Sequence, residues 1–268
     1  GDKIAVRRCR LLRRLDAAEL ASLQVFVEGS HQVSDGYARA SGSAQVRAHD
    51  SAQVVASDSA RVRASGYARV EAYDSAQVVA YDSARVRASG SAQVVAYGSA
   101  QVVAYGSAQV RAYDSAQVVA HDSAQVRAYG SARVRAYGSA QVVAYDSAQV
   151  EAHDSAQVVA SDSARVRAYD SAQVRAYGSA RVRASGSAQV EAHDSAQVVA
   201  SDSALVHTTH AWGDPTITVD GYAVWVDHRH GAPVVHAVSA EMVPAAARQA
   251  QATLAALARA TGREAPHA

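Results

Sequence analysis

Three triplets in this chain set an imidazole, a carboxylate and a hydroxyl side by side: His121-Asp122-Ser123, His153-Asp154-Ser155 and His193-Asp194-Ser195. These are the residue types of a hydrolase triad, in which the base must reach the nucleophile and the acid must orient the base from behind. Adjacent residues crossing a bend point in different directions. The triplets are therefore expected to be products of sequence periodicity, and the chain is expected not to be an enzyme. A second group, His207, His210, His228, His230 and His236, gathers after the periodic region, and His228 and His230 would share one strand face at a chelating distance. The plainer expectation is a histidine-rich cap whose joint protonation near pH ~6 is repulsive. Cys9, the one cysteine, sits among Arg7, Arg8 and Arg10, which lower a thiol pKa. A single thiol makes no internal disulfide and leaves the redox compartment undecided. No cofactor is implied by any of these groups.

The element that positions most of these side chains is an octapeptide. From Ser41 to Thr208 the chain runs through 21 consecutive octads of the form [YSH]-[DG]-S-A-[QR]-V-[VRE]-A. Within Ser99-Ala100-Gln101-Val102-Val103-Ala104-Tyr105-Gly106, the small apolar Ala100, Val102 and Ala104 alternate with Gln101, Val103 and Tyr105. A period of two is the signature of a strand. The next inward position would hold Gly106 or its equivalent Asp. A buried, unpaired carboxylate is not tolerated, so the Asp/Gly-Ser pair must be a corner. Asp and Gly both tolerate positive φ, which explains why one column accepts two such different residues.

A strand and a corner cannot hide an apolar face alone, so octads must stack. Two octads per coil match the small Ala-Val-Ala core, whereas a triangular coil of three octads would enclose a space these side chains could not fill. The expected fold is all-β: a two-sheet β-solenoid of about ten 16-residue coils. At roughly 4.8 Å per coil the rod would be about 50 Å long. The expected domains are an N-terminal cap with a short helix (1–36), the solenoid (37–208), a β-hairpin cap (209–238) and a C-terminal amphipathic helix or tail (239–268). The N-terminal helix is placed at Leu15-Asp16-Ala17-Ala18-Glu19-Leu20 by its capping-box pattern. The hairpin is placed at Thr216–Val226 around Asp220-Gly221, and the C-terminal helix at Pro244–Ala260 with Gly262 beyond it.

Bulk properties narrow the partners. The formal net charge is +1, which gives no global field favouring nucleic acid or an anionic membrane. Lys3 is the only lysine, so basic charge rests on Arg, the residue suited to bidentate and stacked contacts. No apolar run approaches the ~18 residues of a spanning helix. The stretch from Arg7 to Arg14 is read as a basic helix cap able to touch an anionic surface.

Function then falls to three outward columns. With two octads per coil, Tyr81, Tyr97, Tyr113, Tyr129 and Tyr145 form one unbroken row, while Tyr73, Tyr105, Tyr137 and Tyr169 interleave with Ser89, His121 and His153 on the other side. Stacked tyrosines stabilise a rod or dock a partner, and Val103, Val119 and Val143 would add an apolar strip beside them. Arginines cluster rather than spread, in the second half at Arg127, Arg133, Arg135, Arg165, Arg167, Arg175, Arg181 and Arg183, against scattered Glu71, Glu151 and Glu191. These tyrosines and arginines are the candidate assembly or binding surface. Two functions stay open: a scaffold that self-assembles into oligomers or fibres, or a module binding a polymer such as nucleic acid or polysaccharide along the Arg/Tyr face.

The recurrent Tyr-Gly-Ser-Ala-Gln, at Tyr97–Gln101, Tyr105–Gln109 and Tyr137–Gln141, resembles the octapeptide repeats of bacterial ice nucleation proteins. The resemblance covers the array only. It implies a β-solenoid of 16-residue coils, a tyrosine ladder associated with pairing of rods, at the position of Tyr97, Tyr105 and Tyr137, and turn glycines at Gly98, Gly106 and Gly138. It also implies arginine-rich coils that promote assembly, and an ice or water surface as partner. Where that family carries threonine rows this chain has Ala100 and Val102, and no threonine lies between Ser41 and Val206. The self-association part of the family's function is therefore what the resemblance chiefly implies.

Overall fold

The computed structural model describes residues 23–209, 213–229 and 233–237. Consecutive octads go to opposite sheets, and each strand pairs in parallel with the strand two octads away. The result is one sheet of 13 strands (sheet A) and one of 14 (sheet B), the two walls of a β-solenoid. Registers such as Gln101↔Gln117 and Val102↔Val118 fix the coil at 16 residues, two octads per turn. Among the described residues no helix occurs, and the solenoid is as the octad pattern requires.

The alternation sorts side chains as expected. In the strand Gln101–Ala104 the burial pattern is exposed, buried, intermediate, buried, and Ala100 and Ala104 have no exposure at all. The core is a continuous column of Ala-Val-Ala from both walls. A strand of four residues joined to a four-residue corner leaves room for nothing larger between the sheets. Coils are tied by backbone bonds that continue through the corner: Gln101 N donates to Ala84 O at 2.9 Å, Tyr105 N to Ala88 O at 2.9 Å and Ser107 N to Gly90 O at 3.0 Å. Each corner is itself a turn, as where Ala100 N donates to Tyr97 O at 3.3 Å. Its second residue takes positive φ, +65° at Gly98 and +57° at Asp114, which accounts for the Asp/Gly alternation of the column.

The solenoid is longer than the octad array. Val25–Phe26 already pairs with Tyr37–Ala40, and Ser30–Val33 with Gln45–Ala48, so strands occupy residues expected to belong to an N-terminal cap. The offsets there are 14 residues (Val25↔Arg39) and 15 (Ser30↔Gln45), which hid these coils from a search at period eight. Gly42 belongs to this junction: a Cβ on it would lie 2.6 Å from the Val27 carbonyl oxygen.

The C-terminal end departs from the expected hairpin. Thr216–Val219 joins sheet A beside Gln197–Ala200, and Val224–Asp227 joins sheet B beside Leu205–Thr208, both parallel. Asp220-Gly221 is thus a solenoid corner, with Ala223 N donating to Asp220 O at 3.2 Å. The Asp-Gly pair serves both kinds of turn, because what it supplies is positive φ. The antiparallel pair forms one strand later, between Val224–Asp227 and Val234–Ala237. The offset to this last coil is 19 residues (Gln197↔Thr216), three more than in the array, taken up around Gly213. The expected helices at 15–20 and 244–260, Cys9 and Arg7–Arg14 lie outside the described residues.

Candidate functional site: the outward ladders

Each octad leaves its strand at the [YSH] position, so that column runs along an edge of the flattened coil and not across a sheet face. Tyr81, Tyr97, Tyr113, Tyr129 and Tyr145 follow sheet B strands and line one edge. Their rings stack in parallel at centroid distances of 5.3, 5.0, 5.0 and 5.0 Å, with interplanar angles of 7–12°. The spacing is that of the strands beneath, so the ladder is imposed by backbone register. All five rings are half-buried. The row has defined ends. Arg63 lies 5.8 Å over the Tyr81 ring and donates to its hydroxyl at 3.1 Å, while Ser161 follows Tyr145.

The opposite edge is mixed. Tyr105, His121, Tyr137, His153 and Tyr169 stack alternately at 5.0, 5.2, 5.0 and 4.8 Å. His153 Nδ1 also lies 3.9 Å from Asp170. The His-Asp-Ser triplets resolve here into three separate engagements. His121 is sandwiched between tyrosines, Asp122 Oδ2 accepts the Gly106 N–H at 3.1 Å, and Ser123 N donates to Gly106 O at 3.1 Å. Nothing in that arrangement directs the imidazole at the hydroxyl.

The Asp122 bond belongs to a set that reading octads singly does not reveal. The corner carboxylate accepts the corner N–H of the preceding coil, as at Gly98 N to Asp114 Oδ2 (3.1 Å) and Gly178 N to Asp194 Oδ2 (2.9 Å). Comparing residue i with i+16 would have exposed it, because Asp so often follows Gly in that column.

The candidate arginines divide between the two walls. Arg133, Arg135, Arg165, Arg167, Arg181 and Arg183 lie on sheet A, whereas Arg127 and Arg175 lie on sheet B. Octad parity decides the wall, so residues adjacent in the sequence list need not share a surface. Glu151 sits between two of them, 3.1 Å from Arg135 Nε and 3.2 Å from Arg167. Arg175 pairs with Glu191 at 2.9 Å. The outward valines form short pairs, not one strip: Val103 registers with Val119 on sheet A, and Val143 with Val159 on sheet B. Sheet B carries in addition an unbroken exposed row of glutamines from Gln77 to Gln189.

The terminal histidines sit in a polar end-plate. His207 is buried, its Nδ1 3.4 Å from His228 Nε2, and its Nε2 is enclosed without a partner. Burial, helped by the neighbouring His228, pushes the His207 pKa down to about 4, and burial lowers that of His228 as well. Beside them Arg229 grips Asp227 with two bonds of 2.9 Å, and Thr208 donates to Asp227 at 3.0 Å. The Arg229 fork holds the Asp227 carboxyl far below the usual carboxylate range. His236 stacks on Trp225 at 4.2 Å, away from His228. Among the described residues no group of three or more metal-ligating side chains forms, and His210 and His230 lie outside those residues.

Fold and surface together define a class: a parallel two-sheet β-solenoid of 16-residue coils with aromatic ladders on its edges. The chain matches no protein-family model, no curated protein and no solved structure.

Proposed function

We propose that this protein is a non-enzymatic scaffold that associates laterally with copies of itself along the Tyr81–Tyr145 edge. The observation that carries the reading is the stack of five half-buried tyrosine rings, about 20 Å long and uninterrupted by any other residue type, whereas the opposite edge alternates tyrosine with histidine. A row of identical groups is self-complementary, so a two-fold axis across the rod lays it against its own copy without a second surface having to evolve. Tyr supplies large contact area at small rotamer cost and keeps a hydroxyl for the rim. The corners beneath the rings alternate Asp82, Gly98, Asp114, Gly130 and Asp146. An antiparallel pairing offset by one coil therefore seats each carboxylate against a glycine.

The resemblance to ice nucleation repeats supports the same reading from a different side, since a tyrosine ladder there goes with pairing of rods. The outward columns of both sheets here are built of Gln, Val, Arg and Glu, with threonine only at the end of the solenoid, so we assign the assembly role without an ice-templating one.

Sedimentation velocity over a concentration series tests the proposal. Ser already stands in the same column at Ser65 and Ser161, so the triple variant Tyr97→Ser, Tyr113→Ser, Tyr129→Ser retains the fold. The wild-type chain should shift from monomer to dimer or larger species with rising concentration, and the variant should stay monomeric. A wild-type monomer at every concentration, or a variant that associates equally well, refutes the reading. A droplet-freezing measurement accompanies it, with no elevation of the freezing temperature expected.

A further inference from the structure

A second surface, on sheet A, has a different chemistry. Coils carrying Arg133/Arg135, Arg165/Arg167 and Arg181/Arg183 follow one another along the rod with only the Gln149/Glu151 coil between them. Six arginines face one glutamate on this patch, in a chain whose formal net charge is +1. Glu151 is committed to Arg135 and Arg167. Among the described residues Arg133, Arg165, Arg181 and Arg183 have no carboxylate partner. The corner aspartates of the same coils accept backbone N–H groups instead, Asp146 from Gly130 and Asp154 from Gly138, each at 3.0 Å.

The arginines form the walls of a trough. The two outward columns of each strand are two residues apart, about 7 Å, and between them the inward Val134, Val150 and Val166 leave only backbone as a floor. The trough runs along the rod from the Gln117 coil to the Arg181 coil and encloses about 510 Å³. We propose that it binds an unbranched, single-stranded polyanion, whose phosphate or sulfate groups lie between the two guanidinium rows. Three features select that ligand. The cations are all Arg, which grips such oxyanions through paired N–H donors, and the array contains no Lys. The width admits one strand and excludes a duplex. No aromatic side chain lines the trough itself, so its floor and walls offer no platform for stacking bases, and an aromatic-free chain fits better than nucleic acid.

Binding of inorganic polyphosphate, of a heparin oligosaccharide and of single-stranded oligothymidylate, each labelled at one end, tests this by fluorescence anisotropy. Four uncompensated arginines predict a loss of about 50-fold in affinity for a phosphate strand between 50 and 200 mM salt. The polyphosphate and heparin arms distinguish a phosphate from a sulfate source. The variant Arg165→Gln, Arg167→Val, Arg181→Gln, Arg183→Val restores the Gln-Val-Val-Ala strand that the same sheet uses at Gln117–Ala120, so it keeps the coil. It should lose the binding, while Arg111→Val with Arg127→Val on sheet B should keep it. Binding unchanged in the fourfold variant overturns the proposal, as does equal loss in the sheet B variant or tighter binding of oligothymidylate than of polyphosphate. If the fourfold variant loses self-association in place of polyanion binding, the trough belongs to the corner aspartates of a second copy and the proposal fails. The tyrosine variant should bind polyphosphate normally, which separates failure here from failure of the lateral-association reading.

Discussion

Acid should open this solenoid at its C-terminal coil before it touches the middle, and His207 sets the window. The imidazole is 7% exposed, its Nε2 has no partner, and the residues facing it are His228 and, one coil back, Glu191. Protonation would bury an N–H without an acceptor beside a second imidazole, which is why its pKa falls from 6.5 to about 4 although Glu191 pulls the other way. A base with a lowered folded-state pKa binds its proton more tightly when unfolded. Its neutral form therefore supports the fold fully above about pH 6.5, and that support is lost as pH falls from 6.5 towards 4. Between pH 7.5 and pH 5 the loss is about 2 kcal/mol, a rise of about 30-fold in the local opening constant, and below pH 4 it saturates near 3 kcal/mol. Asp227 acts in the same direction but lower down, since its depressed pKa releases stability only below the usual carboxylate range.

Amide exchange, corrected for intrinsic rates, measures this at Leu205–Thr208 and Val224–Asp227 against a mid-rod reference such as Gln117–Ala120. The end strands should lose about 30-fold in protection relative to the reference on going to pH 5, and His207→Val should abolish the difference, Val being the residue this column carries at Val159. A His207 that titrates at 6.5 or above, or end strands whose relative protection changes by less than about threefold, would refute the reasoning.

Other perturbations probe the corners and the core. Asp114→Gly keeps the positive φ and loses only the bond to Gly98 N–H, costing about 0.5–1 kcal/mol, whereas Asp114→Ala must also hold φ near +57° and should cost about 1–2 kcal/mol more; urea midpoints should rank wild type, Gly, Ala. Gly42→Ala places a methyl 2.6 Å from the Val27 carbonyl oxygen and should release the first coils, read as faster proteolysis around Val27, at a cost on the order of 2 kcal/mol. Val134→Ala removes a fully enclosed side chain from a core with no slack and should lower stability by about 2 kcal/mol, with the loss centred on the neighbouring coils in amide exchange.

Where the octad repeats faithfully, the fold was legible because period two within the strand and period eight along the chain constrain it twice over. Ala100, Val102 and Ala104 could only be core, and the Asp/Gly column could only be the corner. Legibility ended where spacing changed. Val25–Val33 coils at offsets of 14 and 15, and Thr216–Asp227 coils after a three-residue insertion with Thr, Ile and Trp in place of the usual residues. At that end the Asp220-Gly221 signal was real but ambiguous, because a turn with positive φ does not say which strand the chain meets afterwards. The tyrosine row was legible from octad parity alone. The same parity separates Arg127 and Arg175 from the other arginines, and pooling them had merged two walls into one surface. The buried His207 was hidden because its enclosure depends on a coil the sequence had assigned to a hairpin.

The corner column shows how such a rod avoids the penalty of perfect repetition. In a solenoid every residue is stacked on its own kind unless the sequence breaks the pattern, and aspartate stacked on aspartate repeats a charge every 4.8 Å or so. Glycine at every corner would remove that repulsion but also the bond from each carboxylate to the N–H of the coil before it, and would loosen the unfolded chain. The sequence takes neither extreme. Each of the eight aspartates that follows a glycine in its column makes that bond, at 2.9–3.2 Å. Of the three places where aspartate follows aspartate, Asp146 to Asp162 and Asp154 to Asp170 keep the bond at 3.3 Å, while Asp58 to Asp74 does not make it. No column places three aspartates in succession. Copies of one 16-residue unit with aspartate at a corner would line up like charges, whereas the observed mixture lets every aspartate that follows a glycine keep its bonded carboxylate. The same logic frees the outward columns, because with core and corner satisfied in every coil, Tyr, Gln, Arg or Glu can be changed on the surface without loss of the fold beneath.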